Sequence, residues 1–416
     1  MSRTTRRPGR LYTASMAVLV GGAILASCSN SPSAAPHHAP RRPTTRSSTT
    51  RSSTTTSSTT TSSTTTTTAP PTPVPTGFSP SSVTFVSADA GWAIGTVPTS
   101  TGSALAVVHT TDGGVTWSVS PAPPVGFGAH GTTHAARIRF ANADDGWITT
   151  PPSGSTSHFS NTMWWTNDGG ATWLQVAVPG GGNIAALEAS DSVAQLVTIS
   201  PATAGVHLYS TPASKEAWTE SSTSLPVGAG PVPQADLLLN GRSGWVVVVN
   251  RTVIAGARLA QGIWQRWTPP CRGAKGAAAI TASSTTNLAA VCNEGVWGPP
   301  PAGFTAASWL CTSDDGGNYF APVGQIASGA IGDNASSAAS PPAHPDVVVV
   351  GGSGLAATFD GGRTWKTVYT SPSGHGVRVV GFTTAAQGVA IVTGTTSVST
   401  VLMTRNGGAT WSPVSF

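Results

Sequence analysis

The chain has 416 residues, which is enough for a large core, and a formal net charge of +5. Eight of its basic residues lie before residue 78 and none of its acidic residues does, so residues 78–416 carry 13 basic and 16 acidic residues, a net charge of −3. The basic excess therefore belongs to the first 77 residues, and we expect no nucleic-acid binding by the remainder.

Residues 1–27 have the features of a signal peptide. Four arginines precede the apolar run LYTASMAVLVGGAILA, which is too short for a transmembrane helix. The run ends in Leu25-Ala26-Ser27-Cys28, which resembles the bacterial lipoprotein cleavage box. This resemblance implies that Cys28 is lipid-modified and becomes the mature N-terminus; the alternative is an ordinary secretory signal with an incidental cysteine. We expect an exported protein that is anchored by this lipid alone to the outer face of the cytoplasmic membrane or to the cell surface.

Residues 28–77 are predicted to be a disordered tether. The segment is rich in Ser, Thr and Pro and has almost no apolar residues, so it cannot bury enough surface to offset its ordering entropy. We expect it to hold a folded domain away from the membrane surface.

A short turn that ends in an aromatic residue recurs through residues 78–416. Residues 110–117 read TTDGGVTW, and related segments follow at intervals of 45 to 56 residues. The seven closing aromatic residues are Trp117, Trp173, Trp218, Trp267, Phe320, Trp365 and Trp411. A repeat of this length indicates stacked supersecondary units.

A second marker accompanies the turn. Phe85 precedes Trp92 by seven residues, and the same spacing joins Phe382 to Val389. The β-branched runs between the markers are bounded by Gly, Pro, Ser and Asp, which is typical of strands and turns. Each unit is therefore two hairpins with strands A to D. Seven such units predict an all-β fold over residues 78–416, a seven-bladed β-propeller of four-stranded antiparallel blades.

The chemistry of the turn explains why it recurs. An aspartate carboxylate can accept hydrogen bonds from the backbone of its own turn, and the glycines permit the positive φ of a tight hairpin. We therefore expect the acidic or amide residues of the turns to be structural and not calcium ligands or catalytic acids. These residues are Asp112, Asp168, Asp315, Asp360 and Asn406, and the aromatic residues expected to pack between blades are Trp117, Trp173, Trp365 and Trp411.

These turns resemble the Asp-box (BNR) repeats of sialidases and related propellers. The combination of a Gly-Trp strand with TxDGGxTW is most similar to the photosystem II assembly and stability factor family of seven-bladed propellers. The third and fourth units, TPASKEAWTE and QGIWQRW, lack the acidic turn. The resemblance implies a binding or assembly role, with the Asp-box turns on the face away from the ligand site.

Catalytic and metal sites are not indicated. A sialidase would use an arginine cluster, a tyrosine nucleophile with a glutamate partner and an aspartic acid, but Tyr209, Tyr319 and Tyr369 are all predicted away from the axis. His130 and His134 lie four residues apart in a predicted loop, with no second pair nearby. We expect no catalytic residue, no cofactor and no metal ion.

Arg137 and Arg139 are the candidate binding residues. They alternate along strand A of the second unit and so share one side of that strand. This side either faces the central channel and its mouth or is one solvated face of a strand.

Three cysteines follow Cys28 in an exported, oxidising setting. Cys271 precedes strand A of the fifth unit and Cys292 ends strand B, so antiparallel pairing places both at the same face of the ring. We expect a Cys271–Cys292 disulfide; the alternative is Cys292–Cys311, and the cysteine left over would be buried.

The face opposite the Asp-box turns carries the most variable connections, residues 119–135, 150–162, 268–276, 297–307 and 325–345. Recognition usually lies in such loops. The leading hypothesis is a monomeric, non-catalytic lipoprotein that binds a protein or a cell-envelope component such as a glycan. The alternatives are a secreted glycan-acting hydrolase and a structural spacer. Blade 7 is either entirely C-terminal or completed by a strand from residues 76–80.

Overall fold

The computed structural model describes residues 72–128, 136–151, 160–190, 192–200, 205–227, 234–250, 252–272, 278–294, 307–326, 328–332, 335–394 and 398–416. Within them, seven antiparallel sheets form the blades of an all-β propeller, as the repeat predicts; each blade has four strands in sequence order, and blade 1 has one additional strand. The predicted signal peptide, Cys28 and most of the predicted tether lie outside the described residues.

The first four blades follow the chain in order. Blade 1 comprises β1 Ser79–Phe85, β2 Gly91–Thr99, β3 Gly102–Thr110, β4 Ser118–Ser120 and the additional strand β5 Gly126–Gly128. Blade 2 comprises β6 Arg137–Phe140, β7 Gly146–Thr150, β8 Thr162–Thr166 and β9 Leu174–Val176. Blade 3 comprises β10 Asn183–Ser190, β11 Val193–Ser200, β12 Gly205–Pro212 and β13 Thr219–Pro226, and blade 4 comprises β14 Gln234–Asn240, β15 Ser243–Asn250, β16 Thr252–Ala260 and β17 Ile263–Trp267.

The last three blades have the same order. Blade 5 comprises β18 Ala278–Ala282, β19 Leu288–Glu294, β20 Ala307–Ser313 and β21 Ala321–Ile326. Blade 6 comprises β22 Ser337–Ala339, β23 Val348–Gly351, β24 Gly354–Thr358 and β25 Lys366–Thr370, and blade 7 comprises β26 His375–Phe382, β27 Gly388–Gly394, β28 Thr400–Thr404 and β29 Ser412–Pro413. A 3-10 turn, Pro179–Gly181, precedes blade 3, and one helical turn, α1 Ser328–Ile331, precedes blade 6. No helix among the described residues is long and apolar enough to span a bilayer.

The core is divided among the interfaces between blades. Seven buried apolar clusters each combine side chains of two adjacent blades. Between blades 1 and 2, for example, Trp92 stacks on Phe140 with ring centroids 3.8 Å apart, and Phe140 in turn meets Trp173 edge to face. The sequence markers of the repeat therefore pack against one another, and no sheet has to bury its faces alone.

The ring is closed by packing and not by a shared strand. All four strands of blade 7 come from the segment His375–Pro413, so residues 76–80 do not complete it. Phe416 instead packs against Phe78 and Trp117, with ring centroids 5.0 and 5.1 Å apart. Pro73 pairs with Ser118 in the outer strand of blade 1.

Each Asp-box turn is held by its own side chains. In blade 1, the amide of Thr116 donates to Asp112 Oδ1 at 2.9 Å, and the hydroxyl of Thr110 donates to the same oxygen at 2.8 Å. Gly113 and Gly114 have φ values of 73° and 84°, a region that favours glycine. Asp168 and Asp360 accept equivalent bonds in blades 2 and 6, Asp315 does so in blade 5, and Asn406 takes this position in blade 7.

The turn also ties the two hairpins of its blade together. The amide of the first glycine donates to a carbonyl in the turn between the first and second strands, as Gly113 does to Asp89 at 2.8 Å. Gly169, Gly316, Gly361 and Gly407 make the same bond in blades 2, 5, 6 and 7 at 2.8 to 2.9 Å. The Asp-box turn therefore supplies hydrogen-bond partners to its own backbone and to the backbone of the turn between the first and second strands. These bonds fix one end of the blade.

In blades 1, 2 and 5, the carbonyl of the same glycine accepts a hydrogen bond from the preceding blade. The indole of Trp92 donates to Gly169 O at 3.1 Å, and that of Trp245 donates to Gly316 O at 3.2 Å. At the interface between blades 7 and 1, where Val389 takes the tryptophan position, Arg405 donates to Gly113 O at 2.8 Å. Each of these bonds links two blades on the Asp-box face.

Blades 3 and 4 replace the missing Asp-box in different ways. In blade 3, the Glu216 carboxylate accepts from the indole nitrogens of Trp147 at 2.6 Å and Trp218 at 2.9 Å, so a side chain substitutes for the turn carbonyl. Burial raises the pKa of Glu216, and the two indole bonds oppose that rise. In blade 4, a two-residue turn with positive φ at both Gln261 and Gly262 joins β16 to β17 in place of the Asp-box turn.

Several details differ from the sequence predictions. Residues 119–135 are not entirely loop, because β5 pairs with β3 and continues the outer edge of blade 1. Residues 325–345 contain α1 and β22. Trp267 ends the outer strand β17 instead of closing the turn before it, because the short turn of blade 4 lets β17 start at Ile263.

The cysteines lie at the interface between blades 4 and 5. Cys271 and Cys292 form a disulfide with Cα atoms 5.2 Å apart, the pairing expected from the strand order. Cys311 is fully buried, with its sulfur 4.0 Å from that of Cys292.

Acid should weaken the Asp-box turns in a defined pH range. Hydrogen bonds from the side chain and then the amide of Thr116 lower the pKa of Asp112 to about 2, and Thr364 does the same for Asp360, also to about 2. An unfolded aspartate has a pKa of about 4, so the stability these groups contribute is present above that value and lost as the pH falls toward about 2.

We therefore expect the double variant Asp112→Asn/Asp360→Asn to have a lower denaturant midpoint than the parent at about pH 6, and the difference to vanish near pH 2. Asp89→Asn, in the adjacent turn, is the matched control. A difference between parent and double variant that stays constant down to pH 2 would contradict the assignment.

Candidate functional site

Charged side chains gather at the axis of the ring. The first strands of successive blades contact one another and are therefore innermost. Among these strands, β6 carries Arg137 and Arg139, β10 carries Glu188 and β14 carries Asp236. Residues from three blades, roughly 50 positions apart in the chain, thus form one cluster, which we call the axial cluster.

One half of the axial cluster is an ion pair. Arg139 Nε lies 2.8 Å from both carboxylate oxygens of Glu188, which joins blade 2 to blade 3. Arg139 also donates from Nη1 to the hydroxyl of Ser82 in blade 1 at 2.9 Å and to its neighbouring carbonyl at Ile138. Both partners are only partly exposed, so this pair is less screened than a surface pair. Arg139 therefore has a structural role across three blades.

The other half of the cluster is Arg137 and Asp236. Both residues are exposed to solvent, yet protein surrounds them closely enough for desolvation to dominate their titration. These two observations agree if the side chains lie in a narrow channel, where they touch water but have protein on most sides. Neither the guanidinium of Arg137 nor the carboxylate of Asp236 hydrogen-bonds another of the residues that the structure describes.

The pKa shifts of this second pair follow from its surroundings. Desolvation, followed by repulsion from Arg139, lowers the pKa of Arg137. Desolvation raises the pKa of Asp236; the attraction of Arg137 opposes this rise and the repulsion of Glu188 adds to it. The two groups are therefore electrostatically coupled to each other and to the ion pair. Their unused hydrogen-bonding capacity makes them the part of the cluster that can take a ligand.

The two candidate arginines thus have different surroundings. Both lie on the innermost strand of blade 2, and the structure brings them together with two carboxylates. Arg139 is engaged by Glu188 and Ser82, whereas Arg137 stands at the start of β6, the end that adjoins the face opposite the Asp-box turns.

The two carboxylates of the cluster were not among the sequence-predicted site residues. A signal for Asp236 exists in QADLLLN, where it is the one charge in a predicted inner strand. Glu188 has a similar position in NIAALEAS. Their proximity to Arg137 depends on the order of the blades around the ring, which a single strand pattern does not contain.

The tyrosines and the remaining described glutamates lie elsewhere. Tyr209 is buried in β12, the third strand of blade 3, where burial and then Glu220 raise its pKa, the opposite of what a nucleophile needs. Tyr319 follows the blade 5 turn and Tyr369 lies in the outer strand of blade 6. Glu216 is engaged by two indoles on the Asp-box face.

Several predicted features lie outside the described residues. These are His130, His134, most of the 150–162 connection and nearly all of 297–307. Within the described part of the chain, no three His, Cys, Asp or Glu side chains are grouped to hold a metal ion.

Comparison with known proteins relates the chain to other propellers by structure alone. No family model matches it, and no curated protein matches its sequence. Its structure is similar to that of YCF48 bound to a D1 peptide, with 15% identity, a TM-score of 0.50 and coverage of 80% of this chain and 95% of that one. This likeness agrees with the resemblance to the photosystem II assembly factors at the level of the fold.

Two further structures are similar to the same extent. One is the β-propeller domain of the Trilobed protease from Pyrococcus furiosus, with an open velcro topology, at 9% identity, a TM-score of 0.51 and coverage of 82% and 96%. The other is KlAtg21 in complex with the coiled-coil of AgAtg16, at 10% identity, a TM-score of 0.50 and coverage of 81% and 98%. These likenesses establish the propeller fold.

Proposed function

We propose that the protein is a non-catalytic, exported lipoprotein whose propeller binds a protein partner or a cell-envelope component. The contact is assigned to the face opposite the Asp-box turns, which we call the loop face, and to the axial cluster beneath it. Arg137 and Asp236 support this assignment most directly, because they present charge and unused hydrogen-bonding groups to the channel. The similar propellers that hold a D1 peptide or a coiled-coil show that the fold is compatible with a protein partner.

The two faces of the ring support the same assignment. On the Asp-box face, the turn glycines and aspartates are occupied by bonds within and between blades. The loop face carries the longest and most varied connections. Rigid blades that display variable loops are a common basis for recognition.

A glycan-acting hydrolase is the second candidate, and one observation favours it. Glu188 and Asp236 lie on adjacent inner strands, and the raised pKa of Asp236 suits a proton donor. Against it, Glu188 is neutralised by Arg139 through both oxygens. Turnover of sialosides or other glycosides that is lost in Asp236→Asn would favour this candidate.

The binding proposal predicts that a partner is crosslinked to the loop face of the ring and not to the Asp-box face. A photo-crosslinking residue placed at Thr99, at the loop-face end of β2, should capture a discrete partner on intact cells that express the full chain. The matched control is the same crosslinking residue at Val115, which is exposed in the blade 1 Asp-box turn. It should capture no partner. Equal capture from both positions, or capture from Val115 alone, would contradict the assignment of the loop face.

The proposed lipid anchor predicts that Cys28 carries a fatty-acid label. Cells fed a clickable palmitate analogue should label the parent chain and the Ser29→Ala control, because the cleavage box leaves Cys28 as the acylated N-terminus. Cys28→Ala should lose the label. Labelling of the Cys28→Ala variant at the parent level would show that the cysteine is incidental.

A further inference from the structure

The axial cluster contains two pairs of opposite charge with different hydrogen bonding. Glu188 accepts Arg139 Nε with both oxygens at 2.8 Å, and Arg139 uses further donors on Ser82 and Ile138. Arg137 and Asp236 interact electrostatically but do not hydrogen-bond each other. The first pair is complete within the protein, whereas both members of the second pair are exposed and keep hydrogen-bonding groups that no described residue uses.

The unused hydrogen-bonding groups of Arg137 and Asp236 are available to a ligand. A guanidinium has five N–H donors and a carboxylate has about four acceptor sites, and a charged group that protein surrounds gains from a partner that supplies both opposite charge and hydrogen bonds. Water at the axis can satisfy some of these sites. A ligand with one negative and one positive group could pair with Arg137 and Asp236 at the same time. Neither residue would then face a ligand group of its own charge.

The described inner strands of blades 5, 6 and 7 place no charged partner on Arg137 or Asp236. The inner strands β18 and β22 of blades 5 and 6 read AAITA and SAA and carry no charge. Arg378, on the inner strand of blade 7, donates from Nε to Thr393 at 3.0 Å. Among the residues that the structure describes, Arg137 interacts electrostatically with Arg139, Asp236 and Glu188.

The charge pattern selects the ligand. A simple anion attracted to Arg137 would meet Asp236 and Glu188, and a simple cation attracted to Asp236 would meet Arg137 and Arg139. A ligand with a carboxylate and an ammonium a short distance apart matches both groups, and like-charge contacts exclude ligands with one charge.

We propose that the axial cluster binds a zwitterionic group, with its carboxylate on Arg137 and its ammonium on Asp236. This inference rests on the proposed function, since it names what enters the channel beneath the loop face. The zwitterion has two sources, the termini of a small peptide or paired acidic and basic side chains on a partner protein.

Calorimetric titration of the full chain tests the proposal. The probes are glycylglycine, which carries the charges on its termini, and N-acetyl-Lys-Asp-amide, which carries them on side chains alone; acetate and methylammonium are the single-charge controls. At least one zwitterion should bind, and the two arms distinguish the two sources. Arg137→Gln and Asp236→Asn should each weaken that binding by about tenfold or more, because each leaves one ligand charge unpaired. Arg378→Gln is the matched control and should bind as the parent does.

Three outcomes would overturn the inference. Acetate binding as tightly as the zwitterions, with Asp236→Asn unaffected, would indicate a simple anion site. Heat from none of the probes would indicate that the cluster serves only to hold blades together. Equal weakening by Arg378→Gln would indicate a general change of the ring, which thermal melts of the three variants would also detect. If Thr99 captures a partner while no zwitterion binds, the inference fails and the proposed function stands.

Discussion

The backbone N–H and C=O groups of the first Asp-box glycine connect three parts of the propeller. Its amide bonds the other hairpin of its own blade, and in blades 2 and 5 its carbonyl receives the indole of the blade before. Because the aspartate holds the turn in one conformation, both bonds have fixed directions. The recurring turn is therefore best understood as a joint between blades, and the adaptations elsewhere support this view. Glu216 supplies the missing acceptor in blade 3, and Arg405 supplies the missing donor at the closing interface.

This arrangement separates the contacts that stabilise the ring from the charged side chains at its axis. The polar joints lie on the Asp-box face, and seven apolar clusters fill the interfaces between blades. Among the described residues, the charged side chains of the inner strands contribute to this through the Arg139–Glu188 pair and the bond from Arg378 to Thr393. Arg137 and Asp236 can remain incompletely bonded at the axis because the remainder of the ring compensates for their cost.

Features that repeat along the chain could be predicted from it, and features that depend on how blades meet could not. The spacing of Phe140, Trp147 and Trp173 predicts two hairpins per unit, and each residue then takes the position that the pattern implies. The two-residue turn of blade 4 and the strand β5 follow local backbone geometry that the repeat does not encode. The axial cluster is a further case, because Glu188 and Asp236 look like ordinary polar positions until adjacent blades bring them beside Arg137.

Equilibrium unfolding of Trp245→Phe measures how much the bond from the indole of one blade to the turn of the next stabilises the ring. Trp245 is fully buried, and the variant would leave Gly316 O without its donor. The matched control is Trp309→Phe, since the indole nitrogen of Trp309 is buried without a partner in the part of the chain that the structure describes. We expect Trp245→Phe to lower the free energy of unfolding by about 1–3 kcal/mol more than Trp309→Phe does. Equal losses in the two variants would contradict it, because the cost would then reflect only the smaller ring.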